Sequence, residues 1–152
     1  MNNEQLSMFE EEKTYVLMSL REEFFNEMKS GKKIYEFRKQ YCKKPTIAYI
    51  YISKKTKAIK GIVEFGEPIF GTSEEIGTLS EKCNPGSYHN IIKYLDKGKG
   101  CALPILKVYE ISEVSLELLR SKFPGFVAPQ SYYLLNKKTD LLSFLLSLNK
   151  NC

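Results

Sequence analysis

The sequence predicts an α+β domain: a small, mixed but mostly antiparallel sheet or barrel with short helices at its rim. Two observations carry this. Five or six strand-like stretches are interleaved with short helical ones, and helix-length crossovers do not alternate regularly with strands, which argues against a doubly wound parallel sheet. Two neighbouring stretches, Thr46 to Ser53 and Ala58 to Phe70, are joined by only Lys54-Lys55-Thr56-Lys57, which reads as an antiparallel hairpin. Closing such a sheet into a barrel removes exposed edges, which suits short strands in a small domain.

In chain order, residues 1–13 are polar and acidic and read as a flexible tail, followed by one domain over 14–152 with a C-terminal helix. Tyr15 to Leu20 is apolar on both faces and reads as a central strand. Arg21 to Ser30 changes to helical period, with Phe24, Phe25 and Met28 on its apolar side and Gly31 placed for the left-handed residue beyond its end. Pro68 puts the end of the Ala58 to Phe70 strand at an edge or out of the sheet. Thr72-Ser73-Glu74-Glu75 has the spacing of a capping box, and a short helix follows. Ser87 reads as the cap of a second helix to Leu95, on which His89 is a surface or packing residue. Lys97-Gly98-Lys99-Gly100 reads as a basic turn, Cys101 to Ile111 as a strand and Ser115 to Lys122 as a short helix. Ser131 to Leu135 reads as a last short strand. Thr139 reads as the cap of a final helix with Leu141, Leu142, Phe144, Leu145 and Leu148 on its apolar stripe.

The chain has 152 residues, a length that buries a real core in one domain. Its net charge of +5 and pI near 8.9 permit an anionic partner without demanding one. None of the four cysteines stands in a CxxC pair, and His89 is the lone histidine, so neither a zinc site nor a histidine-dependent triad is expected. No metal or cofactor is expected. With no signal peptide and no long apolar run, the expected place is the reducing cytoplasm, with free thiols and no membrane partner.

The stretch around which the chain is organised is Gly31-Lys32-Lys33-Ile34-Tyr35-Glu36-Phe37-Arg38. At strand period, Ile34, Glu36 and Arg38 share one face, while Lys33, Tyr35 and Phe37 share the other. A carboxylate and a guanidinium two residues apart form an ion pair, or present an acceptor beside a donor fork to one ligand.

With the helix before it and the Tyr/Ile and Gly61-Ile62-Val63-Glu64 strands after it, this stretch resembles the ASCH domain of the PUA-like superfamily. That family carries a G-x-K-x-x-E-x-R pattern, filled here by Gly31, Lys33, Glu36 and Arg38. The likeness spans about Tyr15 to Leu135 and includes Pro129-Gln130-Ser131-Tyr132. It implies a PUA-like β-barrel with the motif lining a cleft, RNA or nucleotide binding, and a role in transcription or translation regulation. One bacterial branch hydrolyses N4-acetylcytidine with a threonine three residues after the motif lysine and a remote glutamate. Glu36 occupies that threonine's place, which argues against the same hydrolysis, and Glu64, Glu74 and Glu75 remain alternatives for the glutamate.

The resulting expectation is an RNA- or modified-nucleotide-binding module rather than an enzyme. Lys33, Glu36 and Arg38 are its polar contacts. Tyr35, Tyr49, Tyr51 or Tyr132 are candidates to stack on a base, and Lys54, Lys55 and Gln130 to line the approach. The alternatives are a small amidohydrolase-like enzyme using Lys33, Glu36 and Arg38, and a replication or repair adaptor. The adaptor reading rests on Gln5-Leu6-Ser7-Met8-Phe9, which resembles the motif that docks bacterial proteins on the sliding clamp. There Leu6 and Phe9 would fill apolar pockets, with Gln5 giving polar register and Met8 between them. Lys33 and Glu36 meeting within hydrogen-bond reach in a closed pocket would favour catalysis, whereas lysines on an open groove would favour binding.

Overall fold

The structure, a computed structural model, describes residues 13–149. The clamp-like segment with Gln5, Leu6, Met8 and Phe9 lies outside the described residues. The elements run β1 (Tyr15–Leu20), α1 (Glu22–Ser30), β2 (Tyr35–Arg38), β3 (Thr46–Ile52), β4 (Ala58–Phe65), β5 (Ile69–Thr72), α2 (Ser73–Cys83), α3 (Tyr88–Leu95), β6 (Lys99–Ser115), α4 (Leu116–Lys122), β7 (Tyr132–Leu134) and α5 (Thr139–Asn149). The strands form one curled half-barrel in the order β2-β6-β4-β3-β1-β7, with β5 also on β6. β1 and β3 are parallel, which the α1–β2 crossover between them allows, and the other pairings are antiparallel. The expected mixed, mostly antiparallel architecture with short rim helices is what the chain adopts.

β1 and β3 are apolar on both faces because both faces are covered. Val16, Met18, Ala48 and Ile50 pack inward with Phe25 and Met28 of α1. Leu17, Tyr49 and Tyr51 pack outward against Leu119 of α4 and Leu141 and Leu145 of α5. Phe25 and Met28 are the core residues of α1, whereas Phe24, expected beside them, is 37% exposed.

β6 curls the sheet. Its first residues pair with β2 on one edge and β5 on the other, and its later residues continue along β4. The strand expected over Ala58 to Phe70 is thus two strands, interrupted at Gly66 to Pro68, where proline has no N–H for a ladder. Lys99 and Gly100, expected in a turn, pair with Thr72 and Gly71. The turn is made instead by Asp96 and Lys97, at φ 46° and 63°. β4 bulges beside Gly61, where its register with β3 and β6 slips. The Thr72–Glu75 capping box forms in both directions, at 3.0 and 3.2 Å. Ser87 does not cap α3, because its hydroxyl pairs with that of Ser80 at 2.6 Å.

Candidate ligand-binding site

Gly31, at φ 82°, ends α1 in the left-handed conformation that glycine adopts freely. The Lys33 N–H then donates to the Glu27 carbonyl at 3.1 Å, folding residues 31–33 back over the end of α1. Regular strand begins only at Tyr35, so Lys33 does not follow the alternation expected of it. Its ammonium lies 3.4 Å from Glu36 Oε1, with the rings of Phe24 and Phe37 at 5.5 and 5.4 Å.

From Tyr35 the alternation is regular. Glu36 lies opposite Leu103 and Arg38 opposite Cys101, and both partners are fully buried in the inner core. Opposed residues share a face, so Glu36 and Arg38 point into the half-barrel. Arg38 Nε–H donates to Glu36 Oε2 at 2.9 Å, and Nη2 lies 2.8 Å from the same oxygen. Nη1 donates to Ser131 Oγ at 2.9 Å and Nη2 to the Ser19 carbonyl at 3.1 Å. The Ser19 hydroxyl in turn donates to the Pro129 carbonyl. Arg38 therefore ties β2, one end of the sheet, to β1 and to the segment leading into β7, the other end.

The carboxylate of Glu36, itself only 7% exposed, is thereby matched by two cations. A buried ion pair is tolerated only when its geometry is good and its remaining donors and acceptors are satisfied. That condition is met here, since among the described residues no buried side-chain polar atom lacks a partner.

The surroundings are aromatic and sulfur-rich. The Tyr132 ring lies 4.6 Å from that of Tyr41, whose hydroxyl is 2.6 Å from Thr46 Oγ1, and burial raises the pKa of both phenols. Tyr94 of α3 stands on the other flank, its ring 5.4 Å from the Lys39 ammonium, with its phenol raised by burial and drawn back by Arg38. Cys101 donates from Sγ to the Arg38 carbonyl at 3.4 Å, and burial pushes its thiol up to about 11. Unfolded, that thiol ionises near 9.0. Its contribution to stability is therefore whole below about pH 9 and is lost as pH rises towards about 11, by up to about 1.4 kcal/mol per unit. Urea midpoints should fall across that window and fall less steeply for Cys101→Ala; identical slopes would contradict the assignment.

The other expected site residues divide. Gln130 and Tyr132 line an open groove beside Ser131, next to Arg38. Tyr35 is half-buried on β2, its ring 6.1 Å from that of Phe37. Lys54 and Lys55 sit instead in a separate hollow with Arg21, Glu22 and Glu23. Tyr49 and Tyr51 are 0% and 3% exposed and so have no face for a base, because α4 and α5 cover that side of the sheet. Glu75 is taken up in its capping box, and Glu64 accepts from the Tyr109 hydroxyl at 3.2 Å. Ser19, Ser131 and Tyr94 were not singled out from sequence; of these, only Ser131 carried a signal, through its place in the Pro129 to Tyr132 segment. Among the described residues no group of three or more His, Cys, Asp or Glu side chains could hold a metal, and no helix is long and apolar enough to cross a membrane.

No protein-family model and no curated protein sequence matches the chain. Solved structures do. The ASCH protein of Zymomonas mobilis matches with a TM-score of 0.70 at 22% identity, covering 85% of this chain and 94% of that one. A serine-to-alanine mutant of it gives 0.71 at 21% identity, with 86% and 95% covered. A tyrosine-to-phenylalanine mutant gives 0.71 at 22% identity, with 85% and 96% covered. The curled half-barrel is thus the fold that this chain shares with the Zymomonas mobilis ASCH protein.

Proposed function

We propose that this chain is a binding module for RNA or a modified nucleotide, with Lys33 and Glu36 as its contacting groups and Arg38 holding them in place. The observation that supports this is the meeting of Lys33, Glu36 and Arg38 on one buried carboxylate beside the groove that holds Gln130 and Tyr132. The cluster carries one net positive charge. Lys33 offers ammonium protons to a phosphate, and Glu36 Oε1, which faces only Lys33 among these groups, offers an acceptor for an exocyclic amine or a ribose hydroxyl. The Arg38 fork is spent inside the protein on Glu36, Ser131 and Ser19, so its role is to position rather than to read. The test is fluorescence anisotropy with labelled single-stranded RNA and DNA, and calorimetry with modified and unmodified nucleosides. Lys33→Ala should weaken binding about tenfold, a loss near 1.4 kcal/mol. No binding by wild type, or unchanged binding by both Lys33→Ala and Arg38→Ala, would end the reading.

A second reading, hydrolysis of a modified nucleoside, draws on the 3.4 Å approach of Lys33 to Glu36. Against it, the Arg38 fork, the donor that would stabilise an oxyanion, is already spent on Glu36, Ser131 and Ser19. Release of cytidine from N4-acetylcytidine by wild type but not by Lys33→Ala would establish it.

A further inference from the structure

The groove beside Arg38 is large for one nucleoside. It encloses about 870 Å³ between the loop from Phe123 to Ser131 and the start of α5, near the upper end of the range for small-ligand pockets. Gln130 and Ser131 are part of its lining, and Ser131 is the residue to which Arg38 donates. Its lining also includes Lys137 and Lys138, both exposed, with Asp140 the one acid among the lining residues. The Lys138 ammonium rests 5.1 Å from the centre of the Tyr133 ring, and the Tyr133 hydroxyl donates to the Val127 carbonyl at 2.9 Å, holding the loop in place. The groove thus shares Ser131 with the Arg38 network and carries two lysines on its lining.

We infer that this groove is a second subsite, which takes the sugar-phosphate backbone of the neighbouring nucleotides of a single strand and holds it through Lys137 and Lys138. The inference rests on the reading given under Proposed function, and it narrows the ligand to a single-stranded oligonucleotide rather than a free nucleotide. Two observations support it: the bond between Arg38 and Ser131, which joins the two subsites, and the match between two lysines and a polyanion. Single strands suit this shape, since their unstacked bases can turn into a recess while the backbone tracks a charged groove.

The experiment compares wild type with Lys137→Ala/Lys138→Ala and Lys137→Glu/Lys138→Glu. The probes are a mixed-sequence single-stranded RNA decamer and the nucleoside 5′-monophosphates, titrated over a range of salt. Each phosphate contact to a single strand contributes about 0.7 to the slope of log K against log salt, so losing two should flatten it by about 1.4. Decamer affinity should fall about tenfold for the alanine pair and further for the glutamate pair, with monophosphate affinity unchanged. Unchanged decamer affinity and slope would overturn the subsite while leaving the reading at Lys33 and Glu36 intact. So would an equal loss for decamer and monophosphates. If wild type binds neither probe, both readings fall together. The substituted side chains are exposed, and circular dichroism should show both variants folded as wild type.

Discussion

Glu36→Ala should lower the unfolding free energy by about 3–5 kcal/mol, the range for removing one partner of a buried ion pair. The substitution leaves Arg38 and Lys33, whose side chains are 11% and 18% exposed, without their shared carboxylate. Little water reaches them to make up the loss. Much of the cost is therefore that of stranded cations and should be recoverable. Glu36→Ala combined with Arg38→Leu should be less destabilised than Glu36→Ala alone, because the second change removes the charge that the first has orphaned. Urea unfolding of the two single variants and the double variant at one salt concentration measures the coupling. A loss below about 1 kcal/mol for Glu36→Ala, or simple additivity, would show that the cluster is solvated rather than buried.

Gly61→Ala is expected to cost about 3 kcal/mol, at the upper end of what overpacking usually costs. A Cβ at Gly61 would stand 2.2 Å from Phe25 Cζ and 2.7 Å from the Tyr109 carbonyl oxygen. The ring could move, but it is fully buried in the inner core. The carbonyl belongs to the β4–β6 ladder and moves only with the strand. The melting temperature should fall by about 6–12 °C, taking about 2–4 °C per kcal/mol for a chain of this size. Phe25→Leu in the Gly61→Ala background should recover the part due to the ring and leave the part due to the backbone. A fall of less than about 2 °C would show that β4 and β6 separate there more easily than the packing implies.

Where local chemistry decides structure, the sequence was readable. Gly31 ends α1, Thr72 and Glu75 close a capping box, and the lysine turn joins β3 to β4 antiparallel, because each depends on residues within a few positions of one another. Glu36 and Arg38 share a face for the same reason. Lys33 was misplaced because its direction is set by a bond to Glu27 at the helix end, which interrupts the alternation read from spacing alone. The stacking assigned to Tyr49 and Tyr51 failed because the helices that cover them come more than sixty residues later. The partners of Arg38 were out of reach altogether: Ser131 is 93 residues away, and no local pattern marks a serine as the acceptor of a distant arginine.

That bond bears on how the molecule breathes. No strand ladder joins β2 to β7 in the sheet order, so the half-barrel is held shut at this seam chiefly by the Arg38 side chain, through Ser131 Oγ and the Ser19 carbonyl. Parting it costs a few charge-assisted hydrogen bonds, on the order of a few kcal/mol, against about 5–15 kcal/mol for unfolding the whole domain. The seam is thus a low-cost place for a sub-global opening. Amide exchange should therefore be faster along the edge strand β2 than in β3 and β4, which wait for the sheet to come apart.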